Sequence, residues 1–235
     1  MSRFRTTRWS LIAVAGGGGM PSETRAALAE LCALYWPPVY SFVRRRGHGP
    51  DDALDLTQGF FTRILEHNDL ASADPQRGRF RSWLHSALKN YLANEWRREC
   101  AQKRGGGTVV LSIDAIAAER RYAGEPADLL TPEQVYERRW ALTVLDHVMN
   151  RLKWEYAEQG KREQFEKLQP FLVGDKPSYE SLAGELGEAA GTLRQQVFRM
   201  RRRFHDLLRE EISDMVATSA DIDDELRSLL AALLS

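Results

Sequence analysis

The sequence predicts an all-α protein: two small helical domains joined by a linker, the C-terminal one containing a helix-turn-helix. Three observations predict it. Apolar residues recur three and four apart through nearly every patterned segment, which is the helical period, and the only run with strand period is the short Thr108–Leu111. The run Gly105-Gly106-Gly107 breaks that pattern, and the stretch up to about residue 131 mixes glycine, alanine, charges and proline in the manner of a linker. A chain of 235 residues suffices for one large domain or two small ones. No internal repeat is present.

Taken in order, a short N-terminal piece around Arg8-Trp9-Ser10-Leu11-Ile12 precedes a flexible joint at Gly16–Gly19. From Ser22 a helical stripe runs through Ala27, Leu28, Leu31, Leu34 and Tyr35. Pro37-Pro38 is expected to interrupt it. A second stretch from Val39 to Arg46 then ends at Gly47, a C-terminal cap. Asp51–Glu66 reads as a helix led by acids, which suits the positive end of the helix dipole, with Leu56, Phe60 and Ile64 four apart. Residues 71–79 read as a loop turning at Asp74-Pro75. Phe80–Arg98 is a long helix rich in aromatics: Phe80, Trp83, Tyr91 and Trp96. Past the linker, Thr131-Pro132-Glu133 is a helix start with a capping threonine and proline at the first helical position. That helix runs to about Tyr156, and another from about Lys161 to Leu172. A turn at Gly174–Pro177, the helices Ser178–Leu186 and Thr192–Ile212, and a final amphipathic stretch Asp221–Leu234 complete the chain.

Composition excludes several classes. Lys and Arg number 33 against 33 Asp and Glu, so only local charge can point to a nucleic-acid partner. No apolar run approaches the roughly 18 residues of a membrane span. Leu11–Ala15 is too short for a signal-peptide core, so the cytoplasm is the expected compartment. Cys32 and Cys100 support neither a disulfide framework nor a zinc site. The five histidines lack metal-ligand spacing, and no phosphate-binding or nucleophile-elbow motif occurs, so neither metal nor cofactor is expected. Of the 33 cations only 6 are Lys. Genomic base composition accounts for that bias, as does a need for the paired hydrogen bonds Arg makes to phosphates and base edges.

The segment from Ser178 to Phe204 has helix-turn-helix logic. Ala183 is small where two helices must approach, Gly187 sits where the chain must turn, and Leu193 can pack back between them. The second helix carries an apolar stripe, Leu193, Val197, Met200, Phe204 and Leu208, with Arg194, Gln195, Arg199, Arg202 and Arg203 off it. From Arg194 to Arg209 six Arg stand against one Asp, a local charge of +5. Such a helix can enter a major groove, its first residues on base edges and its later arginines on phosphates. The plainer reading is a solvated basic helix on a bundle.

In the N-terminal half, Asp51 to Phe61 is an acidic helix with an apolar back, either a solvated face or a docking surface for a basic partner. The following long helix sets Asn90 and Asn94 four apart on one face. Trp83, Tyr91, Arg77, Arg79, Arg81, Arg97, Arg98, Lys103 and Arg104 accompany them. Aromatics to stack bases, amides to read exposed Watson–Crick edges and cations to track a backbone suit single-stranded nucleic acid. Alone, aromatics at helical spacing are more often core residues.

With these motifs in this order, the chain resembles the extracytoplasmic-function (ECF) group of bacterial RNA polymerase sigma factors, over most of residues 25–212. Asp52-Ala-x-Asp-Leu-x-Gln58 is similar to the family's polymerase-docking motif. Phe80-Arg-Ser-Trp-Leu with Asn90, Asn94, Arg97 and Arg98 resembles its promoter-melting helix, and Gly191-Thr-Leu-Arg with Phe198-Arg199 resembles its −35-reading helix. The resemblance implies an N-terminal segment (1–24), a region 2-like domain (25–104), a linker (105–131), a region 4-like helix-turn-helix domain (132–213) and an acidic tail (214–235). It implies that Asp52, Asp55 and Gln58 dock on the β′ clamp helices of core polymerase. It implies that Arg81, Trp83, Asn90, Asn94, Arg97 and Arg98 serve the −10 element, and Thr192, Arg194, Gln195, Phe198, Arg199 and Arg202 the −35 duplex. Partners would be core RNA polymerase, through clamp helices and β flap, promoter DNA, and an anti-sigma factor or other regulator. Catalysis would belong to the polymerase, so the chain is expected not to be an enzyme. The alternative is a stand-alone helix-turn-helix regulator of transcription.

The chain departs from that pattern at Leu54 and Gly59, where acids are common, in its long linker, and in its tail. From Asp214 to Arg227 the tail holds five acids and one Arg. One expectation is that it folds back and masks the basic recognition helix. The other is a helix that extends the second domain or binds a protein.

Overall fold

In the computed structural model the described residues are 21–67, 69–74, 78–101, 119, 122, 130–172, 178–186, 188–216 and 218–234; side chains of 21–27, 71, 99–101, 185 and 186 are excepted. Among them the regular structure is entirely helical: α1 (Pro21–Arg45), α2 (Pro50–Glu66), α3 (Phe80–Ala101), α4 (Pro132–Glu158), α5 (Arg162–Leu168), α6 (Tyr179–Leu186), α7 (Ala190–Ser213) and α8 (Ile222–Leu234). Short 3₁₀ turns stand at Asp69–Ser72, Gln169–Phe171 and Ser219–Asp221. The expected N-terminal joint, the Thr108–Leu111 run, most of the linker, the turn at 174–177 and Gly187 lie outside the described residues. No described helix is long and apolar enough to cross a membrane.

The chain forms two compact units. The first comprises Met1–Thr143 with Ile212–Ser235, the second Val144–Glu211. The expectation of a break at Pro37-Pro38 is corrected: α1 runs through both prolines. Each proline removes one backbone hydrogen bond, at a cost of up to about 3 kcal/mol. The residues around them outweigh that cost, since Leu34, Tyr35, Trp36, Val39, Tyr40, Phe42 and Val43 are all buried and a buried large side chain contributes about 1.5–3 kcal/mol. Trp36 stacks on Phe61 of α2 (centroids 5.4 Å apart) and Tyr35 meets Phe80 of α3 edge-on (5.2 Å). α1 stops where expected: Gly47 takes φ +96°, and its N–H donates to the Arg44 carbonyl at 3.0 Å.

α4 starts as its sequence signature requires. The Gln134 N–H donates to Thr131 Oγ1 at 3.2 Å, and the Thr131 N–H donates to Gln134 Oε1 at 2.8 Å, a reciprocal capping box. Its first turns belong to the first unit, where Tyr136 and Trp140 are fully buried and His85 stacks against Tyr136 (4.9 Å). Burial pushes the His85 pKa below its ordinary value. Cys32 is likewise a packing residue, its thiol pushed up to about 11 by burial.

The second unit closes around Val148, Leu152, Phe165, Leu168, Ala183, Leu193, Val197, Met200 and Leu207. Ala183 and Leu193 thus belong to one core. Gly160 (φ +69°) ends α4 and lets the Lys161 N–H reach back to the Tyr156 carbonyl at 2.8 Å.

The tail folds back onto the first unit. In α8, Glu225, Leu229 and Ala232 are buried. The Glu225 carboxylate pairs with Arg79 (2.7 Å) and Arg81 (3.4 Å) at the start of α3. This corrects the expectation of a tail laid on the recognition helix. The acid meets Arg79, which is part-exposed, and Arg81, which is buried.

Candidate nucleic-acid interface

α3 presents two faces. Arg81, Leu84, Leu88, Tyr91 and Leu92 turn inward and are buried. Trp83, Ser86, Ala87, Asn90 and Asn94 line an open pocket of about 350 Å³. Tyr91 lines it from the same helix, and its remaining wall comes from Phe60, Arg63 and Ile64 of α2 and from Asp69 and Ser72 of the following 3₁₀ turn. Phe60 and Tyr91 meet with ring centroids 5.6 Å apart. Trp83 is held by stacking on Phe80 at 5.3 Å, 24° from parallel. The pocket therefore joins aromatic surface to two amides, a guanidinium, a carboxylate and three hydroxyls. That set suits an unstacked base, which needs a face to stack on and donors and acceptors for its edge.

α2 and α3 approach closely beside this pocket. A Cβ at Gly59 would strike the Tyr91 hydroxyl. A side chain at this glycine, which departs from the family pattern, would have to displace the Tyr91 ring. Earlier on α2, Asp52 and Asp55 are exposed, whereas Gln58 is buried at 5% exposure. The two acids form an accessible face, and the glutamine packs inward behind it.

Of the residues assigned to the −10 element, the structure brings Trp83, Asn90 and Asn94 to one pocket and leaves Arg97 and Arg98 exposed past it. Arg98 pairs with Glu95 at 2.7 Å. Arg81 differs. It is 5% exposed, pairs with Glu137 (3.0 Å) as well as Glu225, and lies 4.0 Å over the Trp140 ring. In this state it faces the interior. Arg63 and Asp69 were not singled out from sequence, because they come from other elements and join the pocket only on folding.

On α7, Thr192, Arg194, Gln195, Phe198, Arg199 and Arg202 are all exposed, Phe198 at 66%. Leu193, Val197 and Met200 anchor the opposite side. Arg194 pairs with Glu180 of α6 at 2.8 Å and sits 5.5 Å over the Tyr179 ring, which positions it at the head of the helix. Two of the arginines counted in the basic stretch are committed within the unit. Arg201 donates to the Phe171 carbonyl (2.9 Å), and Arg203 is bound by Glu155 (2.6 Å) and Glu210 (3.4 Å), which raises its pKa. Arg194, Arg199 and Arg202 stand exposed on the outer side, Arg194 with Glu180 beside it. Among the described residues no group of His, Cys, Asp or Glu is placed to hold a metal.

Comparison with known proteins bears on this arrangement. Residues 31–101, which include most of α1 and all of α2 and α3, match the family model described as Sigma-70 region 2. A curated relative from Mycolicibacterium smegmatis, named ECF RNA polymerase sigma factor SigE, is 27% identical over 185 residues, covering 79% of this chain. The aligned part spans 63% of that relative's length. No solved structure gives a significant match.

Proposed function

We infer that this chain, a member of the sigma-70 family of the extracytoplasmic-function type, is a promoter-selecting subunit of RNA polymerase. The observation that carries the reading is the pocket of about 350 Å³ on α3, where Trp83, Asn90 and Asn94 converge inside the matched region. In it a base of the −10 non-template strand is held after leaving the duplex. Stacking contributes about 1–3 kcal/mol per base, and the amides select among Watson–Crick edges. Exposed Arg97 and Arg98 hold the flanking backbone. Asp52 and Asp55 of α2 dock on basic surface of the β′ clamp helices, with Gln58 supporting the face from within. The second unit enters the −35 major groove with the N-terminal half of α7. Arg194, Gln195 and Arg199 meet base edges, Thr192 and Arg202 meet phosphates, and Phe198 offers an apolar contact to thymine methyls.

Run-off transcription tests the reading. Core RNA polymerase is assayed with and without the chain on a library of upstream fragments. Transcripts that appear only with the chain, sharing two spaced elements, support it. Binding to duplex DNA without any complex with core polymerase overturns it in favour of a stand-alone regulator.

A further inference from the structure

The tail helix covers a cluster of arginines with the one chemistry that imitates a nucleic-acid backbone. Glu225 Oε2 lies 2.7 Å from Arg79 Nε and 3.4 Å from Arg81 Nη2. Arg79 Nη1 also donates to Ser228 Oγ at 2.8 Å, and Arg138 Nη1 to the Leu233 carbonyl at 3.2 Å. α8 thus engages three guanidinium groups of the first unit along its length. Its first turn adds Asp223 and Asp224, both exposed.

The place matters as much as the charge. Arg79 directly precedes α3, and its carbonyl accepts from the N–H groups of Ser82 and Trp83 at 3.1 and 3.2 Å. It therefore stands one turn before the pocket, while Arg97 and Arg98 stand beyond its other end. From Trp83 to Asn94 the helix rises about 16 Å. A strand lying along this face, its base in the pocket, needs a cation at each end. At the Arg79 end it meets a carboxylate already in position and an acidic helix start.

We propose that Arg79 is a phosphate contact for the promoter single strand, and that α8 is an intramolecular competitor for it, with Glu225, steadied by Arg81 from behind, standing in for a phosphodiester. The proposal rests on the reading of the α3 pocket given above and adds a site and a control to it. Guanidinium binds carboxylate and phosphate oxygens with the same fork of donors, so exchange of one for the other preserves the pairing. The balance favours exchange once the strand is held elsewhere. Glu225 is 2% exposed, and removal of a carboxylate from water is costly even when paired. A backbone phosphate presented by an anchored strand is supplied at high effective concentration. When α8 leaves, Arg81 keeps Glu137 at 3.0 Å and Trp140 beneath it, which holds the site in shape.

The test uses the full chain in complex with core RNA polymerase and a fluorescein-labelled, mixed-sequence single-stranded DNA 12-mer. Glu225→Gln should tighten anisotropy-measured binding about five-fold or more, and the gain should vanish when Arg79→Ala is added. Hydrogen exchange on the unaltered chain gives a second readout, independent of how the variant folds. Residues 222–234 should be protected in the free complex and lose protection when the 12-mer binds. Equal affinity of wild type and Glu225→Gln, with α8 protected in both states, overturns the competitor while the pocket reading stands. Failure of the chain to join core polymerase or retain the strand overturns both.

Discussion

Gly59 and Tyr91 show how a single atom decides a helix contact. Alanine is the better helix former by about 1 kcal/mol, yet a Cβ at Gly59 has no room against the Tyr91 hydroxyl. Gly59→Ala is therefore expected to lower stability by about 1–3 kcal/mol, the usual cost of overpacking. Tyr91→Phe, which removes the obstructing oxygen, should restore part of the loss in the double variant. Urea unfolding of the four proteins measures this coupling, and strict additivity would show that the contact is not the cause. Two further residue-scale outcomes concern DNA. Asn90→Ala should reduce open-complex formation more than duplex binding; equal loss in both would remove Asn90 from the pocket's function. Arg199→Ala should weaken −35 duplex binding by about 1–3 kcal/mol at one base position if it reads an edge. A loss equal on every sequence would make it a phosphate contact. Much of this was legible: Asn90 and Asn94 share a face with Trp83 by helical spacing alone, and they do line one pocket. Arg81 and Gln58 point elsewhere for a reason also present in the sequence. Arg81 precedes Leu84, Leu88 and Leu92 at spacings of three, four and four, and Gln58 lies three before Phe61, so both fall on buried stripes. Charge and motif position drew attention from that periodicity.

At the scale of elements, local chemistry was the more reliable guide where it was self-contained. The Thr131-Pro132 start and the Gly47 stop each depend on residues within one turn, and both are observed. The prolines in α1 misled because their penalty is local while the compensation, stacking on Phe61 and Phe80, comes from other helices. The linker offers a test of another long-range contact. Glu119 accepts from the Tyr40 hydroxyl at 2.5 Å and from Arg44 Nε and Nη2 at 3.1 and 2.9 Å, and Arg44 lies 4.8 Å over the Tyr122 ring. The Arg44 hydrogen bonds, then the Tyr40 hydroxyl, hold the Glu119 carboxyl below its ordinary 4.5 despite the opposing effect of burial. Its folded-state pKa is depressed, so the stabilisation is present above 4.5 and is lost as pH falls through the lower folded value. The protection factors of the Glu119 and Tyr122 amides, taken relative to the slowing intrinsic rate, should fall on acidification. Glu119→Gln should show the lowered protection already at neutral pH. If the variant and wild type exchange alike at pH 7, the clip does not hold the linker.

At the scale of the whole molecule, the division into units is the feature that sequence conveyed least. Helical spacing and a glycine-rich break suggested two domains in succession, whereas the first unit is built from both ends of the chain and takes in the first turns of α4. The tail's partner could not be read from its composition. An acidic amphipathic helix fits any basic surface, and the choice between α7 and the arginines before α3 rests on which apolar positions find a complementary groove. In α8 those positions are Leu229 and Ala232, buried beside Glu225 within the first unit. A cavity at Leu229 should therefore weaken one unit alone. Leu229→Ala removes a fully buried side chain, a change that costs about 2–5 kcal/mol in well-packed cores. The second unit keeps its own core of Leu152, Phe165, Leu193 and Met200 untouched. Hydrogen exchange across a urea series separates the two, since each unit's amides report its own opening. Protection in α1–α3 and the first turns of α4 should fail at lower urea in the variant, while α5–α7 lose protection where wild type does. Equal loss in both would mean that the tail's burial supports the molecule as one cooperative body. In that case a competitor helix could not leave the arginines without unfolding the second unit as well.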